Sequence, residues 1–332
     1  MKFNRANFAR LEIRIEAILT LPRIFACLLL VAFANAAMAE RTFVFRLVDA
    51  LIDGRKLANA AVLIPLRHNT EEPMFLQLDT GADKSIVYRP SVLKLERLGL
   101  ARPASLAGEW LVDVQDSSGQ VWSIRAQELD RGDSGDSIVG SIGVSALLQS
   151  SVMVDFVRRR LRIAQALAQE DLTSCFDKHR DWVPFVQLND RFGITVTIDG
   201  AEFGPILLDT GTSAFGLVLF EGAVLRETGA NGDLFRGRRV TEEIRVSSAN
   251  TLSGPLVIRK LGPSAEVCAL KQCDASAAIW LVDRVVVQGF KGTFGNQPFL
   301  SGALLLDFFG KRAAYLPKRE TIAFCSDHRI GQ

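Results

Sequence analysis

The chain has 332 residues, 48% of them hydrophobic, with 39 Lys and Arg against 37 Asp and Glu. That length suits one large or two smaller packed domains, and the near-balance of charge gives no footprint for nucleic acid or an anionic membrane as partner. With three histidines in the whole chain, a His-based catalytic metal site or a Ser-His triad has almost nothing to draw on, so no metal and no cofactor is expected.

In chain order, residues 1–39 read as a secretory signal. A basic segment ends at Arg23, the apolar run Ile24–Ala36 follows, and Ala37-Met38-Ala39 supplies a small-x-small cleavage site before Glu40. The apolar run is shorter than the roughly 20 residues a membrane span needs; an uncleaved N-terminal anchor is the alternative. Removal of this segment leaves 34 Lys and Arg against 35 Asp and Glu. The protein is expected to be exported, periplasmic or secreted.

The stretch "AAVLIPLRHNTEEPMFLQLD" then reads as a β-hairpin that delivers Asp79, followed at once by Thr80 and Gly81. Further on, "GEWLVDVQDSSGQVWSI" reads as a second hairpin with its turn at Asp116–Gly119. It either carries Trp110 or Trp122 over a cleft or is a surface hairpin with one tryptophan in the core. "IVGSIGVSALLQSSVMVDFVRRRLRIA" gives an apolar triplet ending in Gly140, a short helix, an Asp-Phe strand, a basic turn and a last strand.

After a connection over 165–182, the pattern begins again. "ITVTIDGAEFGPILLD" is a hairpin with Asp199-Gly200 at its turn, and it delivers Asp209 before Thr210 and Gly211. "TFGNQPFLSGALLLDFFGKRAAYLP" repeats the later block, with Gly295 set against Gly140 and a gap of three residues allowed. The chain is therefore expected to be mostly β and written twice, as an N-terminal lobe over 40–164 and a C-terminal lobe over 183–332.

Beyond Cys27, which lies in the signal, four cysteines remain. An even count in an exported chain suggests disulfides: Cys268 with Cys273 in "CALKQC", and Cys175 with Cys325. The spacings Cys175-x3-His179 and Cys325-x2-His328 leave a structural zinc site as the rival reading of the second pair.

A lone carboxylate at the end of an apolar strand is unstable as a charge and holds its proton. Two brought together change the chemistry, because repulsion at about 3 Å amounts to roughly 5 kcal/mol at an effective dielectric near 20, and one proton is retained between them. The ionised member can then take a proton from water while the protonated one donates to a carbonyl oxygen.

"LDTGAD" with "SIVG", and "LLDTGTS", resemble the motifs of the aspartic proteases, the first like the retroviral-type module and the second like pepsin. The resemblance covers Phe43–Pro317 and implies a bilobal double-ψ β-barrel fold of two fused retropepsin-like lobes. It implies an exported aspartic endopeptidase, with Asp79 and Asp209 as catalytic acids. Thr80, Gly81, Thr210 and Gly211 would support the dyad, with Gly140 and Gly295 as structural glycines. The implied partner is a polypeptide substrate, met by a monomer, with no nucleic acid and no membrane unless the signal is retained. Tyr88 and Tyr315 lie outside any flap, and Thr293 stands where an aliphatic residue is usual, so pepsin-like subsite rules do not transfer. The alternative is an inactive peptide-binding or inhibitory protein on the same fold.

Overall fold

The computed structural model describes residues 40–67, 71–130, 137–165, 182–212, 214–225, 235, 237–246, 255–284 and 287–317. The described chain is mostly β. Its first half runs β1 (Arg41–Val44), β2 (Arg46–Ile52), β3 (Arg55–Pro65), β4 (Phe75–Leu78), β5 (Ile86–Tyr88), helix α1 (Arg89–Arg97), β6 (Ala101–Pro103), β7 (Glu109–Gln115), β8 (Val121–Leu129), β9 (Ile138–Ile142), β10 (Ser150–Asp155) and β11 (Arg160–Gln165). Its second half runs β12 (Val183–Pro184), β13 (Val186–Leu188), β14 (Arg191–Ile198), β15 (Ala201–Leu208), β16 (Leu217–Phe220), helix α2 (Glu221–Val224), β17 (Arg239–Val246), β18 (Leu256–Ala269), β19 (Gln272–Val282), β20 (Gly292–Phe294), β21 (Gly302–Asp307) and β22 (Arg312–Pro317).

Each half builds an eight-stranded sheet, ordered β2-β3-β4-β9-β5-β8-β7-β6 in the first and β13-β14-β15-β20-β16-β19-β18-β17 in the second. The central pairings match strand for strand. β4 runs parallel to β9 and β5 to β8, with β5 antiparallel to β9. Likewise β15 runs parallel to β20 and β16 to β19, with β16 antiparallel to β20. Parallel pairs are covered on both faces, which is why these strands are short apolar runs rather than clean alternations.

The halves meet in a third sheet, β1-β11-β10-β21-β22-β12, where β10 of one half lies against β21 of the other. Val152 and Val154 face the main apolar core together with Leu304 and Leu306, whereas Met153 and Leu305 face a smaller cluster with Ala164, Ala314 and Trp182. The buried Asp155 and Asp307 take equivalent places as the last residues of β10 and β21. Asp155 accepts from the Arg158 amide at 2.9 Å, and Asp307 from the Gly310 amide at 2.9 Å.

Strand register corrects the expected matching of glycines. Leu76 pairs with Gly140 and Ile206 with Gly292, each partner lying three residues before its acid. Gly140 therefore corresponds to Gly292, and Gly295 to Gly143. Fifteen residues then separate Gly140 from Asp155 and Gly292 from Asp307, so the three-residue gap disappears. Two glycines per half, three apart, had allowed the slip. Both members of each pair are close-approach positions. A Cβ on Gly140 or Gly292 would lie 2.1 Å from Ile86 O or 2.3 Å from Val218 O, and one on Gly143 or Gly295 would lie 2.3 Å from Lys84 O or 2.2 Å from Phe215 O.

The hairpin expected at Asp199-Gly200 is present, with both residues at positive φ. The Cys268–Cys273 disulfide closes the tip of the β18–β19 hairpin. Cys268 sits opposite Thr197, at the end of β14 that is roughly 20 Å from the Asp209 end of β15, given a strand rise of about 3.3 Å per residue. The bridge therefore steadies a hairpin tip remote from the acids. Cys175 and Cys325, the zinc spacing around them, the signal segment and most of the 165–182 connection lie outside the described residues. Among the described residues, no helix is long and apolar enough to cross a membrane.

Candidate functional site

The ladders carry each acid just past its strand. The Asp79 amide donates to Ile142 O and the Asp209 amide to Phe294 O, both at 3.0 Å. Leu76 and Leu78, like Ile206 and Leu208, anchor these strands in the main core. The two turns that follow are locked by a reciprocal set of four hydrogen bonds. Thr80 Oγ1 donates to Leu208 O at 2.9 Å and accepts from the Thr210 amide at 3.1 Å; Thr210 Oγ1 donates to Leu78 O at 2.9 Å and accepts from the Thr80 amide at 3.0 Å. Both threonines are buried, so four backbone groups that would otherwise be costly orphans are satisfied across the seam.

The glycines bring the acids together. A Cβ on Gly81 would lie 2.4 Å from Asp209 Cγ, and one on Gly211 would lie 2.6 Å from Asp79 Oδ1; each loop presses against the opposite carboxyl. The two carboxyls thus face one another across the seam, each beside the glycine of the opposite turn. Asp79 Oδ1 accepts from the amides of Gly81 and Ala82, both at 3.1 Å, and Asp209 Oδ1 from the amide of Gly211 at 2.8 Å. Burial pushes Asp209 up to about 7, helped by the charge of Asp79 and opposed by the Gly211 amide and Thr212. Burial likewise raises Asp79, opposed by the Ala82 and Gly81 amides, the Asp209 carboxyl and the charge of Arg191. The pair retains one proton over a wide range of pH.

Two further residues of this site carry no signal in sequence. Arg191, at the start of β14, donates through Nε to Gly81 O at 3.2 Å and places Nη2 3.4 Å from Asp83 Oδ1. Gln77 donates to Gly211 O at 3.1 Å. Each reaches the turn of the opposite half, and only the fold juxtaposes them.

Alternation along the strands defines the walls beside the acids. On Asp79's side of its sheet, register aligns Gln77, Ser141, Ile86 and Gln127. This row is polar in three of its four positions, and Gln127 is exposed. On Asp209's side the equivalent row is Leu207, Thr293, Val218 and Trp280. It is largely apolar and covered, with Leu207 at 0% and Val218 at 6% exposure.

The β7–β8 hairpin is open to two readings, a cover over the cleft or a surface hairpin with one tryptophan in the core, and its contacts fit the second. The Ser117 amide in its turn donates to Thr42 O at 2.7 Å, and the Gln115 amide to Leu66 O at 2.8 Å, so the tip packs beside β1. Trp122 is buried with its ring 5.8 Å from that of Phe43. Trp110 donates through Nε1 to Glu128 Oε2 at 3.0 Å. Trp122 belongs to the main core, and the half-buried Trp110 packs against it. Among the described residues, no group of three or more His, Cys, Asp or Glu side chains is arranged to hold a metal ion.

No family model matches the chain, and no curated protein matches it. Solved structures similar to it include basic 7S globulin from soybean, with TM-score 0.46, 10% identity, and 87% of this chain and 98% of that chain covered. They also include conglutin gamma, a basic 7S globulin from lupine seeds, with TM-score 0.43, 11% identity, and 87% and 98% covered. These findings correct the expectation drawn from the motifs: membership in the aspartic proteases and the assignment as an exported aspartic endopeptidase, with its enzyme class, are withdrawn. What stands is the geometry of a locked acid pair at a seam.

Proposed function

We propose that this is an exported, two-lobed binding protein that holds an extended polypeptide ligand at the Asp79–Asp209 pair without hydrolysing it. The lobes are residues 40–164 and 183–332, each folded as a double-ψ arrangement of crossed parallel pairs and joined over 165–182. Asp79 and Asp209 act as the ligand-anchoring acids, with Thr80, Thr210, Gly81 and Gly211 holding them in register. The chain works as a monomer, since both acids come from one polypeptide.

The observation that carries this reading is the close approach of the two carboxyls, each beside the glycine of the opposite, threonine-locked turn, with burial raising the proton affinity of both. A pair with one proton presents a donor and an acceptor side by side, which suits a hydroxyl or amide of a bound chain. Binding without turnover is supported by the unequal walls. A peptide to be cut in its middle needs room on both sides of the acids, and the Asp209 wall is already covered.

The test is calorimetric titration with a peptide carrying a central statine hydroxyl, beside incubation with a diverse peptide library read by mass spectrometry. The expected result is saturable binding by the wild type, lost by about tenfold or more in Asp79→Asn, equivalent to about 1.4 kcal/mol, with every library peptide intact. Cleavage products made by the wild type and absent with Asp79→Asn overturn the non-hydrolytic reading.

A further inference from the structure

The cover over the Asp209 wall is part of the chain's own first half. In the β2–β3 hairpin, Ala50 lies opposite Leu57 and Ile52 opposite Arg55, so alternation places Ala50, Ile52 and Leu57 on one face. That face packs into an apolar cluster of the second half containing Leu207, Phe215, Val218, Ile244, Val246 and Trp280. Ile52 is buried there, while Leu51, on the opposite face, is 71% exposed. The hairpin is also pinned by polar contacts. Arg55 pairs with Glu242, the Arg245 amide donates to Asp53 Oδ2 at 3.2 Å, and Gln297 Nε2 donates to Ala58 O at 2.8 Å. The equivalent row in the first half, from Gln77 to Gln127, belongs to no such separate apolar cluster.

We infer that the β2–β3 hairpin is a built-in occupant of the Asp209 side of the cleft, so that ligands enter from the Asp79 side and meet a polar wall. This rests on the cleft being the binding site. The hairpin replaces an apolar ligand segment with Ala50, Ile52 and Leu57, which the chain supplies intramolecularly at a high effective concentration. The ligand class that remains is a peptide with hydrogen-bonding side chains facing Gln77 and Gln127. An apolar peptide would have to displace the hairpin, break its ion pair and re-expose three apolar side chains to water.

Two readouts test this. Val218→Cys reports on the covered wall through its rate of maleimide labelling, with no ligand required. The apolar statine peptide reports on access. In Ile52→Ser/Leu57→Ser, labelling is expected to accelerate by about tenfold or more and the apolar peptide to bind about tenfold more tightly. Arg55→Ala, which removes one pin and leaves the apolar face intact, should give a smaller increase in labelling and guards against a fold lost in the double variant. Equal labelling with and without the hairpin's apolar face overturns the inference, as does faster labelling with no gain in affinity. Where neither the wild type nor the double variant binds the statine peptide, the labelling rates alone decide the hairpin's place, and the absence of binding defeats the binding reading of the cleft.

Discussion

Asp209 illustrates how much one side chain is governed by its setting. An aspartate in an unfolded chain loses its proton near 3.8, whereas burial and the neighbouring Asp79 hold this one to about 7. Between those values the folded state binds more protons than the unfolded, so this residue's contribution to stability is full below about pH 4 and is lost as pH rises through about 7. Three units correspond to about 4 kcal/mol at most. Asp209→Asn cannot ionise and is expected to lose that slope. Its urea midpoint should exceed the wild type's at pH 8 and converge with it near pH 4; identical pH dependence in the two proteins would contradict the account. Arg191 sharpens the asymmetry, since its cation lies against the Asp79 turn, whereas strand β3 packs toward the Asp209 turn. Asp79 is thus the member of the pair better able to carry the charge.

The elements around the pair are held by contacts that leave no room for a methyl group. Gly140 and Gly292 sit where β9 crosses β5 and β20 crosses β16, with carbonyl oxygens 2.1 and 2.3 Å from a built Cβ. Because the obstacle is backbone, neither strand can yield cheaply. Gly140→Ala and Gly292→Ala are each expected to cost about 3 kcal/mol or more and to abolish a cooperative unfolding transition at neutral pH. Gly222→Ala, where nothing lies within 4 Å in helix α2, should be neutral or stabilising by up to about 1 kcal/mol. Equal costs at all three positions would show that strand crossing is not what these glycines permit. The register itself was hidden in the sequence, where Gly140 and Gly143 face Gly292 and Gly295 and either member offers a plausible match. Only the pairing of Leu76 and Ile206 decides between them.

Across the whole molecule, what was legible was the doubling. Two Asp-Thr-Gly turns after hairpins, and two Asp-Phe strands, are local signals repeated at long range, and they predict a seam with an acid from each side. What was not legible was anything made by juxtaposition. The β2–β3 hairpin has no assigned role in the sequence, and only the fold sets it against β17. Trp122 has two readings until Phe43 packs against it, and Arg191 carries no signal until the fold brings Gly81 within reach. Similar motifs had also suggested a catalytic family that the comparisons do not uphold, because a local pattern speaks to local geometry and not to whether a substrate can pass. The molecule is two matching halves with unequal walls, joined through β10 and β21 and meeting at one proton-sharing pair. Carbon-13 carboxyl NMR, with Asp79→Asn and Asp209→Asn to assign the signals, measures that pair directly. The account predicts two separated titration steps, with one proton still held between the carboxyls at pH 6. Two aspartates fully ionised by pH 5, titrating independently of one another, would contradict it.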